Sequence, residues 1–215
     1  DNLVTPLFAL VITGFLTFTL VGPLMRTLGD AMTNSLVWLY DTTGAIGGGI
    51  IGFFYAPLVV TGMHHSFIAV ETQLLADIAK TGGTFIFPIA AMSNVSQGAA
   101  ALAMFFIIKE QKVKSLASAS AISAYLGITE PAMFGINLKF RYPFYAAMIG
   151  SGISSAFISF FNVKAIAMGA AGLPGVISIK QEELWFYVLG MLIATVVTIT
   201  MTFFFSKRDW TKKTA

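Results

Sequence analysis

The residues of this sequence best suited to chemistry are Glu130 and the pair His64-His65. Glu130 stands in 115–138, a run of 24 residues with no other charge. A carboxylate in such a run is costly at membrane depth unless it faces a cavity, and there it can accept hydroxyl hydrogen bonds from a polyol. Pro131 takes away one backbone donor and favours extended backbone at Glu130. The plainer alternative is an ion pair with Lys139 or Arg141. His64 and His65 follow Thr61-Gly62-Met63 inside a second charge-free run. An imidazole beside a hydroxyl donates to it, or offsets the charge of an arriving phosphoryl group. Neighbouring helical residues point about 100° apart, so one of the two histidines is expected to face a ligand. On a continuous helix Glu71, seven residues on, shares a face with His64 and can orient or charge it. Asn94 and Gln97, three apart, also share a face; amides donate and accept, which suits a hydroxyl-rich ligand, and hydrogen bonding between helices is the equal alternative.

The elements that must position these groups lie in a membrane. Of the 215 residues 56% are hydrophobic and 11% charged, with 20 Phe and a mean hydropathy of +0.81. A water-facing surface needs far more charge. Residues 2–25, 42–70, 81–108, 142–163 and 184–206 contain no Asp, Glu, Lys or Arg. About 20 apolar residues cross a bilayer, so these five runs predict an all-α polytopic membrane protein. The net charge of +3 comes from short basic clusters beside apolar runs, which the positive-inside rule explains better than nucleic acid does. With no cysteine and two histidines, neither a disulfide framework nor a metal centre is expected, and no cofactor.

The chain begins at Asp1 with an apolar run and no signal peptide, and reads as a fragment or processed piece whose N-terminal part is missing. Residues 3–25 predict a membrane helix that Gly22 and Pro23 bend without ending. Residues 26–41, with Leu28, Asp30 and Met32 among others, predict an amphipathic interfacial helix with Trp38 and Tyr40 at headgroup level. Gly44, Gly48 and Gly52 predict close helix packing. Residues 53–80 begin as a span and turn polar midway. Thr81 to Thr84 marks a turn, and Pro88 interrupts the next stretch. Residues 115–138 have the pattern of a re-entrant hairpin lining a site. Residues 143–163 and 184–206 are spans joined by a loop or half-helix over 164–183. Lys109 to Lys114, Lys139 with Arg141, and the tail with Lys207, Arg208, Lys212 and Lys213 are expected on the cytoplasmic side. The two broken elements, around His64 and Glu130, point to a midplane binding site.

The residues then reach a resemblance. Gly127-Ile128-Thr129-Glu130-Pro131, with Gly62-Met63-His64-His65-Ser66-Phe67 upstream, resembles the membrane (IIC) domain of phosphotransferase-system (PTS) EIIC sugar permeases, glucose superfamily. Tyr55 to Thr61, Met92 to Ala101, Phe134 to Lys139 and Ala170 to Gly175 agree with it. The likeness is greatest to the sucrose-type branch, with trehalose-type and β-glucoside-type relatives behind. It implies a homodimer in the bacterial cytoplasmic membrane. Residues 1–41 would end its interface part, 42–206 would form its mobile transport part with re-entrant hairpins and broken helices, and 207–215 a cytoplasmic tail. It implies that a disaccharide is bound, carried inward and phosphorylated by a cysteine-phosphorylated IIB partner, with Glu130 and His64 as the site pair. The chain alone, lacking preceding helices, is not expected to transport. The site is accordingly expected to use Glu130 and His64 for catalysis, and Glu130, His64, His65, Asn94, Gln97 and Thr129 for the sugar. The rivals are an ion-coupled secondary sugar transporter with Glu130 as the ion site, and a structural membrane subunit whose polar residues hold helices together.

Overall fold

The computed structural model describes residues 4–207. The anchoring expected of Arg208, Lys212 and Lys213 lies outside the described residues, as do the side chains of Leu28, Asp30 and Met32. The described residues form helices and no β-strand, with two isolated β-bridges. Among the described residues four helices are long and apolar enough to cross a bilayer: Val4–Leu24, Ile86–Ile107, Tyr142–Phe160 and Gln181–Lys207. A bent pair, Ala45–Val60 with Met63–Ala76, supplies a fifth crossing if counted as one span. These coincide with the five charge-free runs.

Helix α1 (Val4–Leu16), a wide π turn (Thr17–Val21) and α2 (Gly22–Thr43) make one uninterrupted helical run. The π turn sits just before Pro23, where a missing N–H loosens the hydrogen-bond ladder. The apolar side chains of α1 are exposed, as for a helix in lipid. Trp38 is exposed, but Tyr40 is not at a headgroup surface: it is buried and stacks on Phe85 with ring centroids 4.0 Å apart.

Gly44 ends α2 with φ +54°. It breaks the helix there, and a Cβ on it would meet nothing within 4 Å, so it does not join the packing stripe expected of it. Gly48, Gly49 and Gly52 of α3 (Ala45–Val60) do, against α10 (Tyr142–Phe160). A Cβ on Gly49 would lie 3.1 Å from that of Ala156, and one on Gly48 or Gly52 would strike Ser159 or Ser155. Ser151 Oγ donates to the Gly52 carbonyl at 2.7 Å, a hydrogen bond that only close backbone approach permits.

After α3 the chain turns through 114°. Gly62 (φ +77°) leads into a 3-10 turn, Met63–Ser66, then α4 (Phe67–Ala76) and α5 (Ile78–Thr81). Gly82 and Gly83, both at positive φ, make the expected turn into α6 (Ile86–Ile107). Pro88 does not interrupt α6; it lies in the first turn, where no intrahelical N–H is needed. Eighteen residues of α6 from Ile86 to Met104 are buried, so it is the central post of the bundle. Its many Ala, Ser and Gly let neighbours come close. Then α7 (Gln111–Tyr125), α8 (Glu130–Ala132), a π turn (Met133–Asn137) and α9 (Leu138–Phe140) build a helical hairpin, and α11 (Leu184–Lys207) closes the bundle.

One end of the bundle packs Phe105, Ile108, Phe140, Tyr142 and Phe205 together. Lys109, Lys112, Lys114, Lys139, Arg141 and Lys207 cluster around it, with Glu110 the acid among them. At the other end Asp77, Glu182 and Glu183 balance Lys80, Lys164 and Lys180. This asymmetry puts the basic end in the cytoplasm. The α7–α9 hairpin therefore enters from the cytoplasmic end. The loop 161–183 enters from the opposite end. Its neck is closed by an antiparallel bridge between Ala165 and Ile179 and by Ile166 N–H donating to the Ser178 carbonyl at 2.8 Å, so residues 166–178 form an Ω-shaped loop.

Candidate functional site

The turn that carries Glu130 is built by local hydrogen bonds. Ile128 N–H donates to the Ser123 carbonyl and Gly127 N–H to that of Ala124, both at 3.0 Å. This is the Schellman closure of a helix C-terminus, with Gly127 at φ +101°. Ser123 Oγ adds a bond to the Ile128 carbonyl at 2.9 Å. Thr129 is buried and its carbonyl accepts from Met133 N–H at 2.8 Å. Glu130 opens the next helix instead of standing in extended backbone, because a proline in a helix's first turn costs no hydrogen bond. A carboxylate at that N-terminus also meets the helix dipole favourably. The Glu130 side chain is exposed and forms no ion pair among the described residues, so the pairing with Lys139 or Arg141 is not made.

Asn94 and Gln97 of α6 both face this hairpin. Asn94 Nδ2 donates to the Gly127 carbonyl at 3.4 Å. Gln97 is buried, and its backbone carbonyl and Oε1 accept from Asn137 Nδ2 at 3.0 and 2.7 Å. Gln97 thus ties the outgoing arm of the hairpin to α6, and Asn94 ties its tip. Asn94 lies eight residues into α6, so the tip sits roughly 12 Å below that helix's outer end. That is near the middle of a bilayer.

His64 and His65 occupy the 3-10 turn at the α3–α4 break. Their rings do not diverge; the centroids are 4.0 Å apart with a 36° tilt. His65 is exposed and His64 half-buried. The Leu58 carbonyl lies toward the His64 imidazole, yet Nδ1, shut off from solvent, makes no hydrogen bond of good geometry among the described residues. Among the described residues, the charges of His65 and Glu130 act on the His64 imidazole. The two broken elements thus lie near enough for one to feel the other's charge, with no hydrogen bond or ion pair between them. Glu71 does not join them. The turn at Met63–Ser66 destroys the shared helical face, and Glu71 is buried near Tyr55 with its Oε1 lacking a hydrogen-bond partner among the described residues.

Two supports of the site were not anticipated as such. One is Asn137, which anchors Gln97. The other is the tip of the Ω loop: a Cβ on Gly127 would lie 2.5 Å from the Ala171 carbonyl oxygen, and one on Gly172 would lie 2.5 Å from that of Tyr125. Two glycines in apolar, turn-rich segments were the available signal. No metal-binding cluster of His and acidic residues occurs among the described residues.

Comparison with known proteins adds identity to this geometry. The chain is 62% identical over 208 residues to the sucrose-specific EIIBC component of a PTS system in Pasteurella multocida (strain Pm70), covering 97% of this chain and 44% of that protein. It is 65% identical over 196 residues to the sucrose-specific EIIBC component of Staphylococcus xylosus, covering 90% and 41%. The trehalose-specific EIIBC component of Bacillus subtilis (strain 168) is 44% identical over 205 residues, covering 95% and 43%. The chain thus spans less than half the length of these relatives. No solved structure matches. The model of the family described as phosphotransferase system, EIIC matches residues 1–152. With its apolar spans, the chain is a multi-pass protein of the bacterial inner membrane, and it belongs to the phosphotransferase system EIIC family.

Proposed function

We propose that this chain is the sugar-binding and translocating part of a carrier that takes up sucrose and phosphorylates it. The observation that supports the reading is the hairpin tip that α6 holds through Asn94 and Gln97, which sets the Glu130 carboxylate where its charge acts on His64 of the other broken element. The names of the sucrose-specific relatives support the sugar, at higher identity than the first trehalose-specific one. Their EIIBC designation supports a phosphorylated IIB part as the donor. Residues 1–41 end an interface part, 42–206 form the transport part, and the working assembly is a homodimer.

Phosphoryl transfer asks little covalent work of the protein; position and charge supply the rate. A sugar hydroxyl oxygen attacks the phosphorus of the IIB cysteinyl phosphate. The O–P bond forms, the S–P bond breaks, and the cysteine leaves as thiolate. Glu130 accepts a hydrogen bond from that hydroxyl and takes its proton. His64 orients the same oxygen or offsets the charge gathering on the phosphoryl group. His65 and Thr129 lie beside these two, on the same turns. Asn94 has a second amide proton to offer a sugar hydroxyl while the first holds Gly127. Gln97, committed to Asn137, acts from behind by fixing the hairpin.

The test is phosphate transfer to labelled sucrose by the full-length carrier bearing Glu130→Gln, with trehalose as comparator. Loss of a positioned base predicts a fall of about 100-fold or more in rate. A wild-type rate contradicts the role of Glu130. Faster phosphorylation of trehalose than of sucrose by the unmodified carrier contradicts the choice of sugar.

A further inference from the structure

We propose that the tip of the Ω loop, held by Tyr187, is a positioning element for Glu130; this rests on the reading of Glu130 as the sugar's acceptor. The loop enters from the outer end, and its Ala171-Gly172 tip meets the Gly127 turn, whose carbonyl Asn94 also holds. The fit is backbone against backbone. Gly127 at φ +101° and Gly172 at φ +81° leave room for the carbonyls of Ala171 and Tyr125 respectively. A Cβ on Gly172 would also stand 3.2 Å from Gly127 N.

What fixes the tip is a fully buried tyrosine. Tyr187 Oη donates to the Gly172 carbonyl at 2.9 Å. A Cβ on Gly175 would sit 2.5 Å from that hydroxyl, so the loop closes around it. Tyr187 lies in the first turn of α11, whose approach is tied to the loop's neck by Glu183 accepting from Lys164 N–H at 2.6 Å. A connected path of rigid contacts thus runs from α11 through the Gly172 peptide to the Gly127 peptide, three residues before Glu130. Asn94 holds the same peptide from α6. An exposed carboxylate that forms no ion pair among the described residues is placed by the backbone beneath it. Tyr187 touches no sugar in this scheme; it acts through Glu130.

The test is a double-mutant cycle in the full-length carrier, read as sucrose affinity by calorimetry and as kcat and KM of phosphorylation. Tyr187→Phe removes one hydroxyl and keeps the ring. It is expected to weaken sucrose binding and lower kcat by about tenfold, and to cost less than twofold when Glu130→Gln is already present. Pro174→Ala, which relaxes the loop without touching the buried hydroxyl, is expected to show a smaller loss with the same dependence on Glu130. A merely structural tyrosine predicts equal losses with and without Glu130, and that result overturns the inference while leaving Glu130's own role standing. If Glu130→Gln alone changes neither affinity nor rate, the reading beneath it fails instead. Equal behaviour of Tyr187→Phe and wild type also overturns the inference.

Discussion

The His64 turn and the Glu130 turn, the two halves of the proposed site, are held in different ways. Around His64 the hydrogen bonds are local. Gly62 N–H reaches the Val59 carbonyl, His65 N–H reaches that of Gly62, and Ser66 Oγ reaches that of Met63. A Cβ on Gly62 would meet nothing within 4 Å. Around Glu130 the bonds and contacts span long sequence separations: Asn94 to Gly127, Asn137 to Gln97, and the Ala171-Gly172 tip against Gly127. Glu130 is thus a carboxylate on a fixed backbone. His64 rides on a 114° bend whose two arms are joined by a single open turn. In the proposed reading the fixed carboxylate sets the position of the sugar, and the imidazole, on a turn anchored just beyond it by the buried Phe67, is held by bonds of its own segment.

The sharpest way to break this contrast is Gly127→Ala. A side chain at φ +101° would be strained and would strike the Ala171 carbonyl, so destabilisation of about 3 kcal/mol is expected, with loss of sucrose binding. Thermal unfolding of the full-length carrier in detergent reads it, and an unchanged melting temperature refutes the interlocked turn. Asn137→Leu strips the buried Gln97 of its donor and is expected to cost about 1–2 kcal/mol. Melting at the wild-type temperature would mean that the hairpin is not tied to α6 there. Gly62→Ala meets only the strain of a positive φ, about 1 kcal/mol, and is expected to spare sucrose affinity. If it proves as damaging as Gly127→Ala, the two turns are not held differently. Ser151→Ala, away from both, removes one interhelical bond and is expected to cost about 0.6 kcal/mol; a cost above that of Asn137→Leu would shift the weight of the structure to the α3–α10 contact.

What was legible in the residues follows from what is local. Charge-free runs of bilayer length foretold the spans, because hydrocarbon thickness acts on each segment separately. Glu130 and His64 stood out for the same reason, and the resemblance read from their motifs agrees with the family match. The partners of those groups were harder to see. Nothing near Asn137 says that its amide meets Gln97, 40 residues away; that depends on the register of a hairpin against α6. Glu71 looked like a partner for His64 only while the segment was taken as one helix, and the 3-10 turn at Met63–Ser66 separates His64 from the helix that carries Glu71. Tyr40 suited a headgroup surface by type, but Phe85 offers it a buried face. Helical assumptions fail at Gly44, Gly62 and Gly127, whose positive φ no helix continues.

The most direct measurement is a structure of the full-length carrier with sucrose bound. The account predicts one sugar with hydroxyls within hydrogen-bond distance of both the Glu130 carboxylate and the His64 imidazole. Sucrose seated against only one of them, or apart from both, would contradict it.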